Sequence, residues 1–241
     1  MIRLIIFDLD GTLYDFMGPV EAAQQEVLTP LTPPGVDPAE LFMATWEAND
    51  RIRRQFLAGE VKYPRVLWLP FQEALAAYGV PCDENLAKKV AQDYLEAFFR
   101  RVKPYPAARE VLEGLSRDYE LAMISNGIWT LQVQKLEVLG LRHFFSDDQL
   151  FLSDNTGLVK PDPRIFHCAL SALRAEPEEV VFVGDDLEAD VAGATAVGIR
   201  TIWLNTMGRE LPGDIPADMV VEVGSLAHVP AALKEFIRKV G

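Results

Sequence analysis

The sequence is poor in cysteine, in histidine and in positive charge. Of its 241 residues, two are Cys and three are His. Cys82 and Cys168 lie far apart, so they form neither a disulfide framework nor a thiolate metal knuckle. They read as reduced, partly buried thiols of a cytoplasmic protein. Lys and Arg number 23 against 36 Asp and Glu, a formal net charge of −13. A chain of that sign repels DNA, RNA and anionic membrane surfaces, so neither a nucleic acid polymer nor a membrane is expected as a partner. No apolar run approaches the roughly 18 residues that span a bilayer. The apolar run at the N-terminus ends at Asp8, too short for a signal-peptide core with its cleavage site. Internal repeats and low-complexity segments are also missing. What remains is ordinary globular composition, 49% hydrophobic and 24% charged, which argues against disorder or a coiled coil. The length suits one large domain, or a main domain carrying an insertion.

Short β-rich runs punctuate the chain. Leu4–Phe7, Leu121–Ile124, Leu150–Leu152, Val180–Val183 and Thr201–Leu204 read as buried strands, and Met219–Val221 as a weaker sixth. Helical patterns lie between them at about 107–117, 129–140, 162–173, 187–197 and 225–239. Strands alternating with helices of this length indicate an α/β fold, a Rossmann-like, doubly wound parallel sheet. Residues 17–102 break the rhythm. They hold no clear strand and four helical stretches, at about 19–29, 39–58, 64–79 and 84–101, separated by Pro30, Pro33, Pro34 and Gly35 and by Gly79-Val80-Pro81. This reads as an all-helical domain inserted into a core of residues 1–16 and 103–241. Pro104 and Pro106 stiffen the return point.

Four clusters fall where such a fold binds ligands, beyond the carboxyl ends of its strands. Asp8-Leu9-Asp10-Gly11-Thr12 follows the first strand. Its two carboxylates at i and i+2 can converge on one centre, and Gly11 permits a tight turn and close approach of an anion to main-chain N–H groups. Ser125-Asn126-Gly127 ends the second strand and offers a hydroxyl and turn amides. Lys160-Pro161-Asp162-Pro163 precedes a helix that Asp162 caps and Pro163 starts. Gly184-Asp185-Asp186-Leu187-Glu188-Ala189-Asp190 follows the Val180–Val183 strand. Like charges about 4 Å apart cost about 4 kcal/mol at an effective dielectric near 20, a cost that a divalent cation removes. Oxygen-only ligands with spare water positions suit Mg²⁺.

In their order and placement these clusters resemble the four-motif signature of the haloacid dehalogenase-like superfamily. The resemblance covers nearly the whole chain, and the helical insertion resembles that family's C1 cap. It implies that Asp8 is a nucleophile forming an aspartyl-phosphate. Asp10 matches the general acid and base, with its backbone carbonyl on Mg²⁺. Asp185 matches the main carboxylate of the metal site. One of Asp186 and Asp190 would hold a metal-bound water and the other would orient Lys160. Lys160 matches the lysine that neutralises nucleophile and phosphoryl group. Ser125, the N–H of Asn126, Gly11 and Thr12 match the phosphate cradle.

The expected activity is hydrolysis of a small phosphomonoester, a nucleotide, sugar phosphate or phospho-acid. The superfamily's dehalogenases lack the second carboxylate that Asp10 supplies. A sugar phosphomutase keeps it but needs a strongly basic cap. Arg51, Arg53, Arg54, Lys62 and Arg65, with Trp46, Tyr63 and Trp68 nearby, form either a substrate-reading face or a solvated helix face. In the second case Glu47, Asp50 and Glu60 pair with the cations, and Trp46 and Trp68 fill the cap interior. A non-catalytic binding module is the alternative from another class.

Overall fold

In the computed structural model, which describes residues 1–240, the β-rich runs become strands β1 (Leu4–Phe7), β2 (Glu120–Ser125), β3 (Leu150–Leu152), β4 (Val180–Gly184), β5 (Arg200–Leu204) and β6 (Val220–Val223). All pair in parallel in one sheet of order β3-β2-β1-β4-β5-β6. The central strands are buried throughout, which is why they read as unbroken hydrophobic runs rather than alternating ones. Phe7 lies beside Met123 on one side and Val183 on the other. The carboxyl ends of β1, β2 and β4 therefore form one edge. Strand order reverses between β1 and β4, the crevice where open α/β sheets take ligands.

Contacts divide the chain into two compact units. One is Met1–Asp15 with the chain from Lys103 onward, and the other is Phe16–Val102. The helical unit thus starts at 16, one residue before the expected position. It holds α1 (Met17–Leu28), α2 (Pro38–Leu57), α3 (Arg65–Ala77) and α4 (Glu84–Phe99). Asp37 and Asp83 cap α2 and α4 by accepting from Ala39 N–H and Leu86 N–H, as short acidic side chains do at helix starts. Leu28, Leu41, Trp68, Phe71, Leu75 and Val90 form its interior. Trp46 does not join them. It is 37% exposed, which corrects its expected place in the cap core. The basic group is mostly paired. Arg51 meets Glu73, Arg53 and Arg54 both meet Asp50, and Arg65 lies 5.6 Å over the Trp68 ring.

The sheet unit adds α5 (Ala108–Leu115), α6 (Trp129–Val138), the single turn α7 (Ser153–Thr156), α8 (Pro163–Ala172), α9 (Gly193–Ala196) and α10 (Val229–Val240). The expected helix at 187–197 is not one regular helix. Leu187–Ala192 is a wider π-type turn in which Asp190 and Val191 N–H both donate to the Asp186 carbonyl, and α9 follows it. Such turns recur at functional sites. Cys168 is exposed rather than partly buried. No helix among the described residues is long and apolar enough to cross a membrane.

Phe182 of β4 is fully buried, with its ring 5.7 Å from Phe166 of α8 in an edge-on arrangement. Phe182→Ala is expected to cost about 3–5 kcal/mol, read as a lower midpoint in denaturant unfolding.

Candidate active site

Three segments far apart in sequence meet on one ammonium group. Lys160 lies just before α8, and its Nζ is 2.6 Å from Asp8 Oδ1 and 2.6 Å from Asp190 Oδ1. All three residues are buried. Asp8 follows β1, and its N–H donates to the Val183 carbonyl of β4, so the sheet fixes where its carboxylate starts. Asn126 holds the lysine from behind. Its Nδ2 donates to the Lys160 carbonyl, and its Oδ1 accepts from Lys160 N–H, at 2.9 and 2.8 Å. The Asn126 side chain is therefore committed to positioning Lys160.

Asp185 completes the cluster. One carboxylate oxygen from each of Asp8, Asp185 and Asp190 lies within 4.8 Å of the others. Thr12 Oγ1 donates to Asp185 Oδ1 at 3.1 Å. Gly11 makes that approach possible. Its φ is +91°, and a Cβ there would stand 2.5 Å from Asp185 Oδ2, so any side chain would evict the carboxylate. Trp203 Nε1 and an Arg209 guanidinium nitrogen both donate to the Asp185 carbonyl, at 3.1 and 2.7 Å. Asp190 spends its second oxygen on the N–H groups of Asp185 and Asp186. Asp186 stands apart, exposed, its Oδ1 accepting from Glu188 and Ala189 N–H as a cap.

Three carboxylates share one ammonium, a deficit of positive charge in a buried place. Burial, then Asp190, pushes the Asp185 carboxyl up to about 7. Burial lifts Asp8 as well, against the pull of Lys160, with its carboxylate neighbours adding to the rise. Burial alone would lower Lys160, but Asp190 and Asp8 outweigh it and hold the ammonium above its ordinary value. An all-oxygen donor set with excess negative charge fits a hard divalent cation. Asp8 and Asp185 have oxygens to give it, whereas both oxygens of Asp190 are already engaged.

Asp10 sits in a second electrostatic unit that the motif pattern did not foreshadow. Lys135 Nζ lies 2.7 and 2.8 Å from its two oxygens, Gln132 Nε2 donates to Oδ2 at 3.0 Å, and the Tyr14 hydroxyl donates to Oδ1. Gln132 Nε2 also donates to Ser125 Oγ at 2.6 Å. Burial acts to raise the Asp10 carboxyl, but the Lys135 charge and these hydrogen bonds hold it below its ordinary value.

A family model for haloacid dehalogenase-like hydrolases matches residues 2–198. The chain belongs to that family. It is 37% identical over 174 residues to a phosphoserine phosphatase of Thermus thermophilus, covering 66% of this chain and 68% of that one. It is 33% identical over 205 residues to a ribulose-1,5-bisphosphate 5-phosphatase of Halopiger xanaduensis, covering 84% of each. Among solved structures, a 2-haloacid dehalogenase of Pseudomonas syringae pv. Tomato DC3000 superposes with a TM-score of 0.71 at 27% identity, covering 98% of this hydrolase and all of that chain. The chain is thus an enzyme of the hydrolase class.

The charge deficit gives this hydrolase a pH signature. Between about pH 4 and 7 the folded state keeps the Asp185 proton that the unfolded chain has already lost. The unfolded state then binds fewer protons, so stability falls as pH rises through that window. A cation removes the penalty by favouring the ionised form. A divalent salt is therefore expected to raise the melting temperature more at pH 8 than at pH 5, as measured by scanning calorimetry. An equal rise at both values would contradict the assignment.

Proposed function

We propose that this hydrolase is a Mg²⁺-dependent phosphatase that hydrolyses a small phosphomonoester through an aspartyl-phosphate on Asp8. The observation that carries the reading is Asp10, a second carboxylate two residues beyond Asp8, tethered through Gln132 to Ser125. Displacement of halide from a haloacid needs no leaving-group acid, and the dehalogenase likeness therefore speaks for the fold alone. Phosphate esters with alkoxide leaving groups do need one. Phosphatases among the curated relatives support the same choice.

The chemistry divides between the two units of the site. An oxygen of Asp8 attacks phosphorus, and the bond to the ester oxygen breaks as Asp10 gives that oxygen a proton. Water then attacks phosphorus, Asp10 takes a proton from it, and the bond to Asp8 breaks to release inorganic phosphate. Splitting the displacement in this way replaces one hard step by two easier ones. The first proton can enter with the substrate, since a phosphomonoester is half protonated near pH 6 (its second pKa is about 6). Lys160 neutralises the nucleophile and the transferring group, Ser125 and the N–H of Asn126 hold phosphoryl oxygens, and Gly11 and Thr12 close the turn beneath them. Asp8, Asp185 and the Asp10 carbonyl would hold Mg²⁺, with Asp186 contributing through water while Asp190 orients Lys160. When bound, the metal supplies charge that lets an anionic nucleophile approach an anionic phosphate.

The substrate class is a small phosphorylated metabolite: a nucleotide, a sugar phosphate or a phospho-acid. The basic residues of α2 and α3 are mostly spent on Asp50, Glu73 and Trp68. That pairing counts against the strongly basic cap a phosphomutase needs.

A metabolite panel read by phosphate release, with 2-haloacids and a bisphosphate-primed mutase assay alongside, separates these reactions. Phosphate release from one or a few small esters is expected, stopped by EDTA and restored by Mg²⁺. Asp8→Asn should lower kcat by at least about 10³-fold, the scale lost with a covalent nucleophile. It should not lower the melting temperature of the metal-free protein, because it removes one of three crowded carboxylates and leaves Lys160 paired with Asp190. Activity near wild type in Asp8→Asn, or full turnover in EDTA, would refute the mechanism.

A further inference from the structure

Helix α6 is sorted the wrong way round for a surface helix. Gln132 and Lys135 are buried, at 1% and 8% exposure, while Val138 is 46% exposed. Lysine is almost never buried without a partner. The face these two residues share with Leu136 points at Asp10. Among the described residues, Lys135 donates to both oxygens of the Asp10 carboxylate, Gln132 to one of them and Tyr14 to the other. The helix itself is pinned at its start, where Trp129 N–H donates to Asp154 Oδ1 at 2.8 Å. The turn before it is built for close approach, since a Cβ on Gly127 would stand 2.4 Å from the Gln132 side chain. Gln132 turns its amide so that Nε2 reaches both Asp10 and Ser125, while its buried Oε1 has no partner among the described residues.

We propose that Lys135, assisted by Gln132, is a positioning residue for the general acid and base of this enzyme: its ammonium fixes the Asp10 carboxylate beside Ser125. The proposal rests on the phosphatase reading above and adds to it a group from outside the four motifs. Lys135 touches Asp10 rather than the nucleophile. Its contribution should therefore appear in proton transfer to the leaving group and from water, not in substrate affinity. Deleting one ammonium also leaves the half-buried Asp10 with fewer donors, so the carboxylate can turn away from its working position. A misplacement of about 1 Å costs on the order of 10²-fold in rate.

The test is a double-mutant cycle read on two substrates. Wild type, Asp10→Asn, Lys135→Met and the double variant are assayed on p-nitrophenyl phosphate, whose leaving group departs without a proton. They are also assayed on the fastest alkyl phosphomonoester of the metabolite panel, whose leaving group needs one. Lys135→Met is expected to lower kcat on the alkyl ester by about 100-fold, the range of general acid catalysis, with KM changed by less than about threefold. The first-turnover release of p-nitrophenol should fall by less than about threefold, because that step needs no acid. Adding Lys135→Met to Asp10→Asn should cost less than about threefold more, because the group it positions is already disabled. That last comparison contains no unpaired carboxylate, and the double variant no unpaired ammonium either, so it stands even where Lys135→Met alone folds poorly. Equal first-turnover losses on both substrates, a rise in KM at constant kcat, or a double variant far slower than Asp10→Asn would each overturn the proposal. A wild type that releases phosphate from nothing in the panel overturns the phosphatase reading and this inference with it. An active wild type with an indifferent Lys135→Met overturns the inference alone.

Discussion

The buried ammonium of Lys160, shared between Asp8 and Asp190, is the contact on which the rest of the site depends. A charge without water is tolerated only when paired and hydrogen-bonded. Lys160 meets that condition by drawing together a strand end, the approach to α8 and the turn beyond β4. Each neighbouring device then serves the same centre. Asn126 grips the lysine backbone, Asp190 gathers two N–H groups of the turn, and Gly11 clears the space that Asp185 occupies. The π-type turn at Leu187–Ala192 belongs to this arrangement. It bends the chain so that Asp190 faces inward while Asp186 caps outward.

The two lysines divide the acids unequally, and the inequality has chemical consequences. Lys135 and Asp10 form a neutral pair with donors to spare. Lys160 faces three carboxylates and leaves a deficit of two charges. A cation would be drawn to the Lys160 unit and has no electrostatic reason to enter the Lys135 one. That separation suits a reaction in which one aspartate must attack phosphorus and a near neighbour must exchange protons. Two carboxylates only two residues apart in sequence acquire different behaviour because burial and partners push them in opposite directions, Asp8 up and Asp10 down.

The sheet and the Asp8, Lys160 and Asp185 constellation were legible in the sequence for a physical reason. Buried parallel strands read as continuous apolar runs, and each cluster sits directly at a strand's end or a helix's start, so a short window contains both the element and its chemistry. The Asp10 clamp was not legible in that way. Gln132 and Lys135 sit three apart on a helix where hydrophobic sorting predicts a solvated face, and their partner lies more than a hundred residues away. The one local trace is Val138, an apolar residue on the side that polarity would have buried. Trp46 misleads in the opposite direction. Its size suggests an interior that α2 does not give it, while Trp68 on α3 is buried as its size suggests.

The clamp also explains why the second carboxylate is more than a single-residue marker of reaction type. Replacing Asp10 by an apolar residue would leave Lys135 as a buried cation without a counter-charge, a loss of about 3–5 kcal/mol by the behaviour of broken buried pairs. The Gln132 amide would lose one acceptor as well. Asp8 and Lys160 would keep their direct contact, since Asp10 takes no part in it. A chain on this scaffold that dispenses with leaving-group protonation therefore has to change α6 together with Asp10, while it can keep its nucleophile and the lysine beside it. On the mechanism proposed above, the choice of leaving group would turn on the pairing between the first strand's loop and α6.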